Sequence, residues 1–108
     1  MSVELPSTLA RYFAATNAHD VDGVLEVFGA RAIVKDEGRE HRGALAIRKW
    51  IMRTIEKYDF KVEPTGVATR DRETVVTGLV SGNFSGSPVS LRYAFTLDGD
   101  QIVHLEIG

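Results

Sequence analysis

The sequence predicts an α+β fold, with helices gathered in the first half of the chain and an antiparallel sheet in the second. Apolar residues recur at helical spacing as far as Tyr58. From Phe60 onward the period changes to two, and β-branched residues accumulate at Val62, Val67, Thr69, Thr74, Val75, Val76, Thr77 and Val80. Polar turn signals divide that second half into four strands, and one short strand, Ala32 to Asp36, interrupts the helical half.

Pro6 suits the first turn of a helix, where its missing N–H costs nothing. Leu9, Tyr12, Phe13 and Thr16 then form a buried stripe, so the first helix spans Pro6 to Ala18. Asp20 is placed to cap a second, short helix whose Val21, Val24, Leu25 and Phe28 repeat at one-turn intervals until Gly29 offers a stop. Ala32-Ile33-Val34-Lys35-Asp36 follows as a strand ending in a carboxylate. Glu37 to Gly43 is a polar run bounded by glycines and reads as a surface loop. Ala44, Ile47, Trp50, Ile51, Ile55 and Tyr58 mark the third helix, with Arg48, Lys49, Arg53, Glu56 and Lys57 on its wet side.

The four strands are expected at Lys61–Thr69, Thr74–Phe84, Val89–Leu97 and Gln101–Ile107. Arg70-Asp-Arg-Glu73 supplies one turn, Gly82 to Pro88 a longer one, and Asp98-Gly99 a tight one. Alternation in the third strand places Val89, Leu91, Tyr93, Phe95 and Leu97 on one face and Ser90, Arg92, Ala94 and Thr96 on the other. In the second strand both faces are apolar, Val76/Val80/Phe84 and Val75/Leu79, which points to a partner subunit on the outer face, a homodimer. His104, alternating with Val103 and Leu105, belongs to that outer face.

At 108 residues the chain is one domain, 1–108, expected to bury roughly two-thirds of the surface that it exposes unfolded. It is 44% hydrophobic and 26% charged, without a long apolar run, which sets it among soluble rather than disordered or membrane proteins. Met1 to Pro6 has neither a basic leader nor a continuous apolar segment, so a cytoplasmic location is expected. Zero cysteines exclude disulfides, thiol catalysis and thiolate metal sites. The net charge of −2 argues against nucleic-acid binding and favours a small uncharged or cationic ligand. His19, His41 and His104 show no ligand spacing, so neither a metal nor another cofactor is expected.

The order helix, helix, strand, helix and four antiparallel strands resembles the nuclear transport factor 2-like superfamily, over the whole chain. The resemblance implies a cone-shaped, cystatin-like α+β roll in which a curved sheet wraps the three helices of the N-terminal half. Locally, Ala10-Arg-Tyr12, Asp20 before Val21, Ala32-Ile-Val-Lys-Asp36 and His41-Arg-Gly43 before a helix resemble the SnoaL-like and ketosteroid isomerase-like branches. The 24-residue interval from Tyr12 to Asp36 matches that between the oxyanion-donating tyrosine and the general-base aspartate of ketosteroid isomerases. Where that family keeps a protonated aspartate, this chain has Tyr93, a departure that retains a hydrogen-bond donor but alters the signature.

Removing a proton beside a carbonyl needs a base on one side and donors where the enolate charge develops. By this resemblance Asp36 is the base and Tyr12 and Tyr93 are the donors. The substrate is a small apolar carbonyl compound in an isomerase, cyclase or lyase reaction, and Trp50, Phe60, Phe84, Leu91 and Phe95 line its pocket. The residues by themselves leave a second reading open. Tyr12 and the aromatics are also ordinary core side chains, and Asp36 is also a solvated strand end, as in a non-catalytic ligand-binding or dimeric interaction domain. Strand parity bears on the choice without deciding it, because Asp36 shares a face with Ala32 and Val34 while Ile33 and Lys35 make the other.

Overall fold

The computed structural model describes residues 3–108. Its elements are α1 (Ser7–Asn17), α2 (Val21–Glu26), β1 (Phe28–Asp36), β2 (Arg39–Arg42), α3 (Gly43–Tyr58), β3 (Lys61–Arg70), β4 (Glu73–Ser81), β5 (Val89–Asp98) and β6 (Gln101–Ile107). The strands form one curved, unclosed six-stranded sheet in the order β2-β1-β6-β5-β4-β3. The α+β architecture is therefore as predicted, three helices against a single sheet, but one pairing differs. β1 runs parallel to β6, whereas all other neighbours are antiparallel. Hydropathy along one strand reports its buried face and says nothing of which distant strand lies beside it.

Asp20 caps α2 as predicted, its Oδ1 accepting from the Gly23 N–H at 3.1 Å. The end of that helix is earlier than periodicity predicts. Val27 is already the cap, its carbonyl accepting from the Ile102 N–H at 2.8 Å, and Phe28 opens β1. Pairing with β6 takes the place of a further helical turn, and Gly29 lies within the strand instead of stopping a helix.

The predicted surface loop after Asp36 is instead a β-hairpin. Asp36 pairs with Arg39 across Glu37 and Gly38, which adopt φ of 54° and 74°. Two central residues at positive φ are what a two-residue hairpin of right-handed twist needs, and glycine supplies one without steric cost. β2 is short and mostly exposed, so its four polar residues carry no apolar pattern to announce a strand. β4 ends at Ser81, three residues before the predicted Phe84. At Gly82 the backbone passes so close to α3 that a Cβ would lie 2.6 Å from the Tyr58 carbonyl oxygen, and the Asn83 N–H donates to that oxygen at 2.7 Å.

The core lies between the helices and the concave face of the sheet. Leu9 and Phe13 of α1, Val24 of α2 and Ile47 and Ile51 of α3 meet Val34, Val62, Val76, Phe95, Ile102 and Leu105. At its centre Phe95 is fully buried, with the rings of Tyr12 and Phe13 edge-on at 5.3 and 5.8 Å and Tyr93 stacked at 6.2 Å.

Asn17 closes α1 onto the sheet. Its amide donates to the Val62 carbonyl and accepts from the Val62 N–H, both at 2.8 Å, so one side chain satisfies both outward backbone groups of a residue on edge strand β3. Asn17→Ala would leave that pair without partners. It is expected to cost about 1–3 kcal/mol, measured as a lowered midpoint in urea denaturation.

Candidate functional site

The fold leaves a cavity of about 470 Å³ between α3, the end of β1 and the concave face of β4–β6. Tyr12, Asp36 and Tyr93 all line it, as do Trp50, Phe60, Phe84 and Leu91. Phe95, predicted in the same set, is not on the wall. It has no exposed surface and packs behind Tyr12 and Tyr93, supporting their rings from the core. Its strand face is as predicted; depth within the sheet separates it from the cavity.

Asp36 reaches the cavity by strand parity. Ala32 and Val34 are fully buried, Lys35 is exposed, and Asp36 follows the buried face at the point where the strand turns. The indole N–H of Trp50 donates to Asp36 Oδ2 at 2.9 Å. Among the described residues neither the Arg39 nor the Arg42 side chain forms an ion pair with Asp36; Arg42 is held by Glu40. Burial holds the Asp36 carboxyl above its ordinary value of 3.8, and the Glu37 charge adds to this. The Trp50 bond, the Glu37 backbone and His41 work in the opposite direction. A carboxylate so placed is a better base than one in water.

Tyr12 and Tyr93 are 2% and 4% exposed. Burial pushes the Tyr12 phenol well above its ordinary 10.0, with Tyr93 and Asp36 adding to the rise and Thr16 opposing it. Burial, then Asp36, raises Tyr93 likewise. Both phenols therefore remain protonated at neutral pH and can donate hydrogen bonds into the space that Asp36 faces. The site thus presents one base and two donors in a largely apolar enclosure.

Several cavity-lining positions escape sequence reasoning. Tyr58 and Thr54 join Trp50 on the wall, and their four-residue spacing on α3 is a signal that could have found them. The Thr54 hydroxyl is spent on the carbonyls of Trp50 and Ile51, both at 3.0 Å. Glu37 and Gly38 line the cavity because of the hairpin turn. Gly78 seats Tyr93. A Cβ there would lie 2.6 Å from Val62 Cγ2 and 3.2 Å from Tyr93 Cε1, so any larger residue must push the Val62 methyl aside and crowds the Tyr93 ring. Nothing in the sequence marks that contact.

Trp50→Phe keeps a ring on the wall and removes the bond that favours ionised Asp36. The Asp36 titration midpoint, followed by carboxyl-carbon NMR, is expected to move upward, and an unchanged or lower midpoint would refute the role given to the indole.

A curved sheet enclosing three helices around such a cavity places the protein in the nuclear transport factor 2-like class of α+β cone folds. The SnoaL-like domain model matches residues 9–105, and the chain belongs to that family. It is similar to the structure of a candidate polyketide cyclase from Sinorhizobium meliloti, with 36% identity over 96% of this chain and 95% of that one and a TM-score of 0.93. A protein of ketosteroid isomerase-like fold from Catenulispora acidiphila, solved with trimethylamine, is 17% identical over 97% and 86% of the two chains, with a TM-score of 0.85. SalBIII, an epoxide hydrolase/cyclase-like enzyme of pyran ring formation in salinomycin, is 19% identical over 94% and 86%, with a TM-score of 0.77. The last two likenesses are of fold. No curated protein sequence matches the chain. Among the described residues no cluster of potential metal ligands occurs, and no helix is long and apolar enough to cross a membrane.

Proposed function

We propose that the protein is a proton-transfer enzyme of the isomerase, cyclase or lyase kind, acting on a small apolar carbonyl compound. Asp36 removes a proton beside the carbonyl, and the Tyr12 and Tyr93 hydroxyls hold the oxygen on which negative charge develops. The observation that carries this reading is the meeting of these three side chains on one apolar cavity, with Asp36 free of any ion pair among the described residues. The likeness to a candidate polyketide cyclase supports the reaction class. Exchange of α-hydrogens for deuterium in small cyclic ketones, followed by NMR in heavy water, tests it without a known substrate. Wild-type protein accelerates exchange; equal rates with and without protein would defeat the reading.

The outer sheet face favours a homodimer. Leu79 points outward between Glu63 and Ser90 and is 36% exposed, and Val75 shares its face, between Ala68 and Ala94. Native mass spectrometry is expected to find a dimer that Leu79→Lys shifts toward monomer. A wild-type monomer at micromolar concentration would remove the proposal.

A further inference from the structure

Among the described residues that line the cavity, Asp36 and Glu37 supply the acidic side chains, and none is a lysine, arginine or histidine. Lys35 and Arg39 line a separate recess of about 320 Å³ that shares Asp36. Neither carboxylate forms an ion pair among the described residues. Glu37, Gly38 and Val89 are exposed and mark the cavity mouth. There the Tyr58 hydroxyl donates to Glu37 Oε1, and the Tyr58 ring meets Phe84 edge to face, with centroids 5.9 Å apart. The exposed Lys57 ammonium stands over one face of the Tyr58 ring, 5.0 Å from its centroid, so that face already carries a cation and a ligand would meet the rest of the ring and Phe84. Deeper in, the Tyr93 hydroxyl bonds to no described side chain, yet among the described residues no enclosed side-chain polar atom lacks a partner, so this hydroxyl opens onto the cavity.

Unpaired carboxylate beside aromatic faces selects positive charge. An anionic ligand would meet repulsion from both carboxylates, and a wholly apolar one would cover Glu37 without compensation. We propose that the ligand bears a cationic head, a protonated amine or quaternary ammonium, seated at the mouth between the Glu37 carboxylate and the rings of Tyr58 and Phe84. Its carbonyl portion extends inward to Asp36 and the two tyrosines. The placement rests on the reading of this cavity as the substrate site.

The test compares choline with its uncharged isostere, in which carbon replaces nitrogen. Binding is followed through the fluorescence of Trp50, the single tryptophan, and by calorimetry. Choline is expected to bind at least about tenfold more tightly than the isostere. Glu37→Gln, which keeps an acceptor for Tyr58, is expected to cut that preference severalfold, by weakening choline binding while the isostere binds no more weakly than before. Phe84→Leu is expected to reduce it as well. Equal binding, tighter binding of the isostere, no choline binding, or a preference that survives both substitutions overturns the inference. The ketone-exchange assay separates this from the proposed reaction. Cation preference without Asp36-dependent exchange keeps the site and removes the chemistry, and the converse keeps the chemistry and removes the cation site.

Discussion

Asp36→Asn is expected to lower turnover of any substrate, or α-hydrogen exchange of a ketone, by about 100- to 10,000-fold while leaving ligand affinity largely intact. Asparagine keeps the volume and an acceptor for the Trp50 indole but cannot take a proton. Equal losses in affinity and turnover would instead mark Asp36 as a binding group. The same substitution is expected to stabilise the protein at neutral pH. The folded-state carboxyl lies above its unfolded value near 3.8, so the folded chain holds this proton more tightly. The associated stability is fully present below pH 3.8 and is lost as pH rises through the folded-state midpoint. Above that midpoint the asparagine variant should melt at a higher temperature than wild type, and the difference should close as the pH falls toward 3.8. A group that costs stability when ionised at working pH has the profile of a functional residue.

The second large effect is structural. Phe95→Ala is expected to cost about 3–5 kcal/mol in urea denaturation, because the ring is fully enclosed and its neighbours cannot close the space. A domain with about 5–15 kcal/mol of total stability loses a large fraction of it. Phe95→Leu, which retains most of the volume, should cost less yet loosen Tyr12 and Tyr93, whose rings rest on it. Raised turnover in that variant would contradict the supporting role.

Sequence periodicity reached most of the fold and a good part of the candidate site. Helical spacing located α1 and α3, because each buries one stripe against the sheet, and alternation located Tyr93 on the concave face. Parity left two faces open for Asp36, and the burial of Ala32 and Val34 is what sets it inward. What stayed hidden depends on pairing. The parallel partnership of β1 with β6 overrides the last turn of the second helix, and Arg39–Arg42 becomes a strand through hydrogen bonds to β1 that its exposed side chains do not advertise. The Trp50–Asp36 bond joins residues fourteen apart on different elements. Glu37 enters the cavity wall only because the chain reverses there. Phe95 lies on the expected face, and only its depth keeps it off the cavity wall.

An open sheet has two free edges, and each is a template on which another chain could add a strand. At one end β2 is only four residues long, with arginine, glutamate and arginine along it. At the other, β3 carries Pro64 beside an irregularity in register, and Asn17 occupies the backbone groups of Val62. Loss of that amide therefore reaches beyond folding energy. It uncovers a docking position for a foreign strand, and Asn17→Ala should form fibrillar or amorphous aggregates under conditions in which an equally destabilised interior variant remains dispersed.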